Sequence, residues 1–364
     1  MVVTNKYTIF AAQYSKLKTQ DYDTNNAPHM ELSIIVPVYQ VEKYVRACIE
    51  SIFRQQLDER RFELIIVNDG TRDRSMEMIA DIIEAHPNTT VINQENLSLS
   101  VVRNNGIAMA RGEYILMPDS DDLLIEGSLS VLLDLALKSK PDLVVANYLV
   151  MNDEEIDRTT IIPQPPLTVT EKTGERLLLE DLADDRCYVW RTLYRRQFLL
   201  DNGLRFIPGI CYQDVPFTHE CFPKAGKCLR VNRLLNIYRQ GHDSASSTMD
   251  VKRAHDFCTA IAETWRLPQK EQFKPEIERK LRRDVFVSFS LLICKVSYSF
   301  HKNAVRMEIL NYLKQLAPDL RFSQGLKQRI TTLFYRHTPH LFMSFHYHGR
   351  MLKRRVVRFL RRLL

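Results

Sequence analysis

The sequence predicts an α/β protein, a three-layer sandwich with a mostly parallel sheet, followed by a C-terminal helical region. Short β-branched runs alternate with segments of helical apolar spacing between residues 32 and 150. Such alternation is typical of a parallel sheet covered by helices. From about residue 250 the spacing is helical, with Pro or Gly breaks near 268, 275, 318 and 325. Because a chain of 364 residues exceeds what one core usually fills, we expect more than one packed unit.

Each element of the N-terminal half follows from its apolar pattern. Strands are predicted at 32–38, 62–69, 89–94, 113–118 and 142–150. Helices are predicted between them at 41–56, 74–86, 100–112 and 128–140. Asp73 is placed to cap the second helix, and Gly112 is placed to end the third. Residues 151–187 read as a polar connection with a short helix, and 188–240 as mixed α and β structure.

The charge is unevenly distributed along the chain. The net charge is +7, but residues 321–364 hold eleven Lys or Arg and no Asp or Glu, so the rest of the chain carries −4. The seven cysteines form no CxxC pair, which argues against a zinc site or a disulfide framework and favours reduced thiols in the cytoplasm.

Neither a leader nor a membrane span is predicted. Residues 1–30 lack a cationic start followed by a long apolar stretch, and no run of 18 apolar residues occurs. We expect residues 1–30 to form an N-terminal arm that is disordered or dispensable.

Polar side chains follow the predicted strands where each strand ends. Tyr39 follows the first strand, Asp69 the second, and Asp119 and Asp121 the fourth. In a parallel sheet these ends share one edge, where ligands bind. Two carboxylates separated by one residue can share Mg²⁺ or Mn²⁺, although a turn with helix-capping aspartates is the commoner explanation of such a pair by itself.

Other residues allow both a functional and a structural interpretation. Asp69 could accept a hydrogen bond from the imide N–H of a uracil or could stabilise a turn. Arg103 could contact a diphosphate or lie on the surface. Asp214 could deprotonate a hydroxyl or cap a helix. Neither GxGxxG nor GxxxxGK[ST] is present, so the sequence lacks the usual signatures of dinucleotide-binding and P-loop proteins.

The order and spacing of several segments add a resemblance to these observations. The segments are IIVPVYQ (34–40), IIVNDGTRDRS (65–75), the long stretch 94–122 ending in MPDSDD, YVWRTLYRR (188–196), GLRFIPGICYQDVPF (203–217) and IYRQGHDSAS (237–246). Together they resemble the family 2 glycosyltransferases of the GT-A fold, in their bacterial polysaccharide-building branch. The resemblance covers residues 31–246, with a donor half at 31–150 and an acceptor half at 151–246, followed by helices at 247–349.

The resemblance implies a site for a nucleotide-sugar donor. Asp69 would bind the base, Arg103 would lie near the diphosphate, and Asp121 would coordinate a divalent cation, Mn²⁺ or Mg²⁺, with Asp119 as its partner. The donor-binding positions implied are Pro37, Tyr39, Asp69, Arg103, Asp119 and Ser120. UDP is the implied nucleotide, and dTDP offers the same imide group.

The resemblance also implies an acceptor side. Asp214 would be the general base of an inverting transfer to a glycan or lipid-linked hydroxyl, and Trp190 would shape the acceptor pocket beside Gln213 and His242. Gln213 departs from the family pattern, since it stands where Glu is usual, and this removes one negative charge next to Asp214.

The last fifteen residues, 350–364, read as a basic amphipathic helix. An apolar stripe flanked by arginines suits an anionic membrane surface. Docking on the protein body and binding to nucleic acid are the alternatives, and nucleic acid is the one least favoured. We expect a cytoplasmic enzyme held peripherally on the inner face of the membrane. The rival interpretations are a nucleotide-sugar-binding scaffold without catalysis and a nucleotidyltransferase.

Overall fold

The computed structural model describes residues 30–159, 161–182, 186–241 and 249–349. The predictions for the N-terminal arm up to residue 29, for His242 and for the basic helix 350–364 lie outside these residues. The described part divides into two compact units. The first holds 30–177, 188–209 and 224–241, and the second holds 178–182, 186–187, 210–223 and 249–349.

The first unit is built on a mixed sheet of nine strands among the described residues. The strands are β1 (Leu32–Val38), β2 (Phe62–Asn68), β3 (Thr89–Asn93), β4 (Tyr114–Leu116), β5 (Leu123–Leu124), β6 (Leu143–Met151), β7 (Val169–Lys172), β8 (Thr192–Arg195) and β9 (Cys228–Arg239). Their order is β3-β2-β1-β4-β8-β6-β9-β5, and β7 also pairs with β9. β3, β2, β1 and β4 run parallel, whereas β8 is antiparallel to both of its neighbours. The predicted α/β class is therefore confirmed.

Short helices connect these strands. They are α1 (Val45–Phe53), α2 (Ala80–Ala85), α3 (Leu99–Met109), α4 (Ser128–Ser139), α5 (Asp153–Arg158), α6 (Gly174–Arg176) and α7 (Arg196–Asp201). Every residue of β1 is buried, as is typical of a strand in the middle of a parallel sheet. Apolar side chains of α1 and α4, such as Ile49 and Leu132, pack with β1 and β2 in one core cluster.

Two details of the predicted helices are wrong. Asp73 does not cap α2, because its carboxylate instead accepts hydrogen bonds from Ser75 N and Glu42 N. The third helix ends at Met109, before Gly112. Gly112 is required for another reason: a Cβ there would lie 2.4 Å from the backbone N of Ser33 in β1.

The second unit is helical. Its helices are α8 (Asp214–Lys224), α9 (Val251–Lys270), α10 (Pro275–Ser299), α11 (Asn303–Leu316) and α12 (Leu326–His337), and residues 339–349 are also helical. The predicted break near 268 is wrong, because α9 continues through Pro268 to Lys270. No helix within the described ranges is both long and apolar enough to cross a bilayer.

Candidate active site

The ends of the parallel strands meet at one edge of the first unit. Val38 of β1 pairs with Asn68 of β2, and Asn68 pairs with Asn93 of β3. The edge is closed by two backbone hydrogen bonds of 3.0 Å, from Asp69 N to Val38 O and from Gln94 N to Asn68 O. Parallel strands bring the residues that follow them to a common edge, and the topology does so here.

Asp69 is held by the segment that follows β3. Its Oδ1 accepts hydrogen bonds from Gln94 Nε2 (2.7 Å) and Leu97 N (2.9 Å), and its Oδ2 accepts one from Ser98 N (3.1 Å). The residue is only 5% exposed. Ser98 has φ 104°, a backbone conformation that L-residues rarely adopt. Asp69 therefore stabilises this turn, and its contact with a base stays a prediction.

Arg103 of α3 is paired with a carboxylate. Its Nη2 lies 2.5 Å from Asp119 Oδ1, and the guanidinium is 2% exposed. Its Cζ also lies 5.5 Å from the ring centroid of Phe206. The sequence interpretation of Arg103 as a surface residue is wrong, because the side chain is buried and positions Asp119. Its contact with a diphosphate stays a prediction.

The turn after β4, residues 119–122, crowds three carboxylates. Asp122 N donates to Asp119 O at 3.2 Å. Asp122 is 1% exposed, its Oδ1 accepts from Arg239 N at 2.8 Å, and its buried Oδ2 has no hydrogen-bond partner among the described atoms. Burial, followed by the charges of Asp119 and Asp121, raises the pKa of Asp122 to about 9. Ser120, the one residue of the 119–122 turn that is not an aspartate, is also buried.

Arg239, at the end of β9, braces this turn, although sequence reasoning assigned it no role. Its Nε donates to Asp121 O at 2.9 Å, and its guanidinium forms an ion pair with Asp153. The guanidinium also lies 4.8 Å from the ring centroid of Tyr44. The only available signal was the Tyr-Arg pair at 238–239, because the contact joins positions 118 residues apart.

The carboxylates of Asp119 and Asp121 fit a hard divalent cation by their chemistry. Mg²⁺ is commonly held by one or two carboxylates together with substrate phosphates and waters. Within the described ranges no three His, Cys, Asp or Glu side chains are grouped to hold a metal. The donor set therefore suits a cation that arrives with a phosphorylated ligand and does not suit an all-protein cage.

Trp190 lies inside an aromatic cluster and is not an open pocket wall. It is 3% exposed and contacts Tyr148, Tyr188 and Tyr238, with ring centroids 5.0, 4.8 and 5.5 Å away. The three tyrosines are half-buried. Burial, Tyr188 and then the three aspartates of the 119–122 turn raise the pKa of Tyr238 to about 12. The tyrosines, which sequence reasoning missed, form the accessible part of this cluster next to the turn.

Pro37 and Tyr39 lie on either side of the end of β1. Pro37 is buried within the strand, whereas Tyr39 follows it and is 39% exposed. Of these two predicted donor-binding residues, Tyr39 is the one whose side chain a ligand could reach.

Asp214 and Gln213 belong to the second unit. Asp214 is the first residue of α8 and is half-buried. Gln213 is 3% exposed, and its Oε1 has no hydrogen-bond partner among the described atoms. Tyr212, just before them, has φ 59°, a strained conformation that often marks functional sites.

Buried ion pairs anchor α8 within the second unit. Nε2 of His219 in α8 lies 3.0 Å from Asp284 Oδ2, and Lys280 Nζ lies 2.5 Å from the same oxygen. His219 and Asp284 are 1% and 2% exposed. Sequence periodicity does not indicate this cluster, because its members come from two helices 65 residues apart.

Comparisons with known proteins agree with this architecture. Residues 33–199 match the family model described as glycosyl transferase family 2. The chain is 35% identical over 219 residues to the uncharacterized glycosyltransferase EpsJ of Bacillus subtilis (strain 168), covering 58% of this chain and 62% of EpsJ. It is 26% identical over 204 residues to the poly(ribitol-phosphate) beta-glucosyltransferase of Bacillus spizizenii, covering 54% of this chain and 30% of that protein.

A solved structure shows the same fold. Residues 1–349 of S. aureus TarS, crystallised with UDP-GlcNAc, align with a TM-score of 0.66 at 16% identity, covering 89% of this chain and 92% of that one. The sequence matches span less than two thirds of both curated relatives. Residues 33–199 therefore match glycosyl transferase family 2, and the chain shares the fold of TarS 1–349.

Proposed function

We propose that this protein transfers a sugar from a nucleoside diphosphate-sugar, UDP-sugar first among them, to a hydroxyl of a glycan or lipid-linked acceptor. The transfer would invert the anomeric carbon and would serve the synthesis of a bacterial surface polysaccharide. The observation that carries the proposal is the crowded aspartate turn 119–122, held between Arg103 and Arg239 in a family 2 domain.

The named relatives support the donor and the acceptor class. TarS was crystallised with UDP-GlcNAc, and the Bacillus spizizenii relative is named for adding glucose to poly(ribitol phosphate). A UDP-sugar and a surface polymer are therefore the first compounds to test.

The aspartate turn has a stated role in the proposal. Asp121 and Asp119 would hold Mn²⁺ or Mg²⁺, which offsets the charge that grows on the leaving diphosphate when it is bound. Arg103 orients Asp119 through its 2.5 Å contact. Arg239 holds the backbone of the turn at Asp121 O.

Asp214 would take the proton from the acceptor hydroxyl as the hydroxyl oxygen attacks the anomeric carbon and the bond to the diphosphate breaks. Exchange of its carboxylate for an amide removes the proton acceptor. Asp214→Asn should lower transfer by about 10²- to 10⁴-fold and leave donor binding intact. Full activity of this variant would reject the assignment.

A lipid-linked acceptor would bring the proposed enzyme to the cytoplasmic face of the membrane. Residues 350–364, with their arginines beside an apolar stripe, would assist this contact.

A panel of nucleotide-sugars with Mn²⁺, assayed by release of nucleoside diphosphate, tests the proposal. UDP release from one donor, raised by an acceptor and removed by EDTA, is the expected result. A scaffold would bind donor without releasing UDP, and a nucleotidyltransferase would instead release pyrophosphate from a nucleoside triphosphate; either outcome would refute the proposal.

A further inference from the structure

The last described helices, α12 and residues 339–349, have apolar side chains on two opposite faces. The inner face packs within the second unit: Tyr335, Phe342 and Met343 are 1%, 7% and 0% exposed. The rings of Tyr335 and Phe342 lie 5.1 and 6.1 Å from that of Phe289 in α10. This face packs the two helices against the rest of their unit.

The outer face is apolar as well, and it is exposed. We call the exposed apolar side chains of α12 and residues 339–349 the outer apolar face; they are Leu326 (75% exposed), Ile330 (45%), Leu333 (58%), Phe334 (42%), Leu341 (63%) and Phe345 (77%). The first four recur at spacings of four, three and one residues, which is one stripe of an α-helix. Exposed large apolar side chains grouped in this way mark an interaction surface.

The charged side chains of these two helices are all cationic. Lys327, Arg329 and Arg336 are exposed on α12, and after Asp319 the sequence contains no further Asp or Glu. Cations flanking an apolar stripe complement an anionic lipid surface.

We propose that the outer apolar face lies on an anionic lipid bilayer, with its six apolar side chains at the headgroup–acyl boundary and the adjacent cations among the lipid phosphates. A second copy of the same face would bring cations against cations, and so would the basic segment 350–364 of this chain. An anionic bilayer is the occupant that satisfies both the apolar stripe and its charges.

The inference deepens the proposed function, since membrane contact would present the domain to a lipid-linked acceptor. Binding to vesicles requires neither donor nor acceptor, so its result is independent of transferase activity. UDP release with a soluble acceptor tests the activity separately.

Co-sedimentation of the full chain with vesicles tests the inference. We expect binding to phosphatidylcholine vesicles that contain 30% phosphatidylglycerol and at least about tenfold weaker binding to pure phosphatidylcholine. Leu333→Ser with Phe345→Ser should weaken binding to the anionic vesicles by at least about tenfold, because two apolar side chains no longer enter the bilayer.

The matched control is Ile161→Ser with Leu167→Ser, which removes two apolar side chains that are 81% and 49% exposed in the first unit. This control should bind as the parent does. All four positions are exposed, so we expect both variants to keep the parent's thermal midpoint.

Four outcomes would overturn the inference. They are no binding to the anionic vesicles, equal binding by the Leu333→Ser/Phe345→Ser variant, equal loss in the control, and conversion of a dimer to a monomer by the variant with vesicle binding unchanged. The last outcome would assign the face to a second copy. In a chain with Arg354, Arg355 and Arg358 replaced by Gln, the change Leu333→Ser with Phe345→Ser should still weaken vesicle binding.

Discussion

Two turns at the same edge of the sheet contain aspartates, and the hydrogen-bond partners of these aspartates differ. After β2, Asp69 accepts three hydrogen bonds through both of its oxygens. After β4, Asp122 has one oxygen without a partner among the described atoms and a pKa raised by burial and by the neighbouring carboxylates. Both oxygens of Asp69 have donors in the first turn, whereas the second turn crowds three carboxyl groups and leaves Asp122 Oδ2 without a partner among the described atoms.

This difference separates a carboxylate held by several donors from a group of crowded carboxylates. A buried carboxylate with several donors is stabilising, whereas crowded carboxylates cost free energy until a cation or a proton neutralises them. Arg103 and Arg239 reduce that cost in the second turn without removing it. We therefore expect substitutions in the two turns to differ in whether they alter stability or activity.

Asp121→Asn should have the largest effect, and the effect should be on activity. Loss of the proposed cation ligand should lower UDP release by about 10³-fold. The thermal midpoint should not fall below the parent value, because the substitution removes a charge from a crowded turn. Steady-state kinetics with Mn²⁺ and thermal unfolding check this. Asp134→Asn, at a side chain 64% exposed, is the control and should change neither quantity.

Asp69→Asn should act mainly on stability. The amide cannot accept from Gln94 Nε2, Leu97 N and Ser98 N together, and a buried donor left without an acceptor costs about 1–3 kcal/mol. Urea unfolding measures this loss. Asp81→Asn, at an exposed surface ion pair, should change stability by less than about 1 kcal/mol. An Asp69→Asn protein as stable as the parent would mean that Asp69 does not hold the turn.

Arg239→Lys should lower both activity and stability moderately. Lysine can still approach Asp153, but it loses the Nε hydrogen bond to Asp121 O, and the two side chains are not equivalent at such sites. We expect about a tenfold fall in kcat and a loss of about 1–2 kcal/mol in the free energy of unfolding. Arg60→Lys, at a side chain 87% exposed, serves as the control. Unchanged kcat would show that the brace does not position the turn.

Asp122→Asn should have the smallest effect. The amide oxygen can still accept from Arg239 N, and a carboxyl group whose pKa is raised to about 9 carries no charge at pH 7 for the amide to remove. The free energy of unfolding should stay within about 1 kcal/mol of the parent, and UDP release should be retained. A loss of activity as large as that of Asp121→Asn would instead make Asp122 a ligand.

The strands of the parallel half were predicted within two residues of their ends, because buried strands read as continuous apolar runs whatever they pack against. Helix ends were predicted less well, as at Gly112, since close contact with Ser33 of β1 determines that residue and local propensity does not. The aspartates of the 119–122 turn were found because β4 and its turn are adjacent in sequence.

The sequence by itself determined the alternation of strands and helices, and through it the edge where Asp69, Asp119 and Asp121 lie. Only the tertiary structure decided what each carboxylate does there. The Arg103–Asp119 pair spans 16 residues, the bond of Asp69 to Ser98 spans 29, and the Arg239 brace spans 118. Burial and hydrogen-bond partners give a carboxylate its role, and partners so far apart in the chain meet only when the sheet has formed.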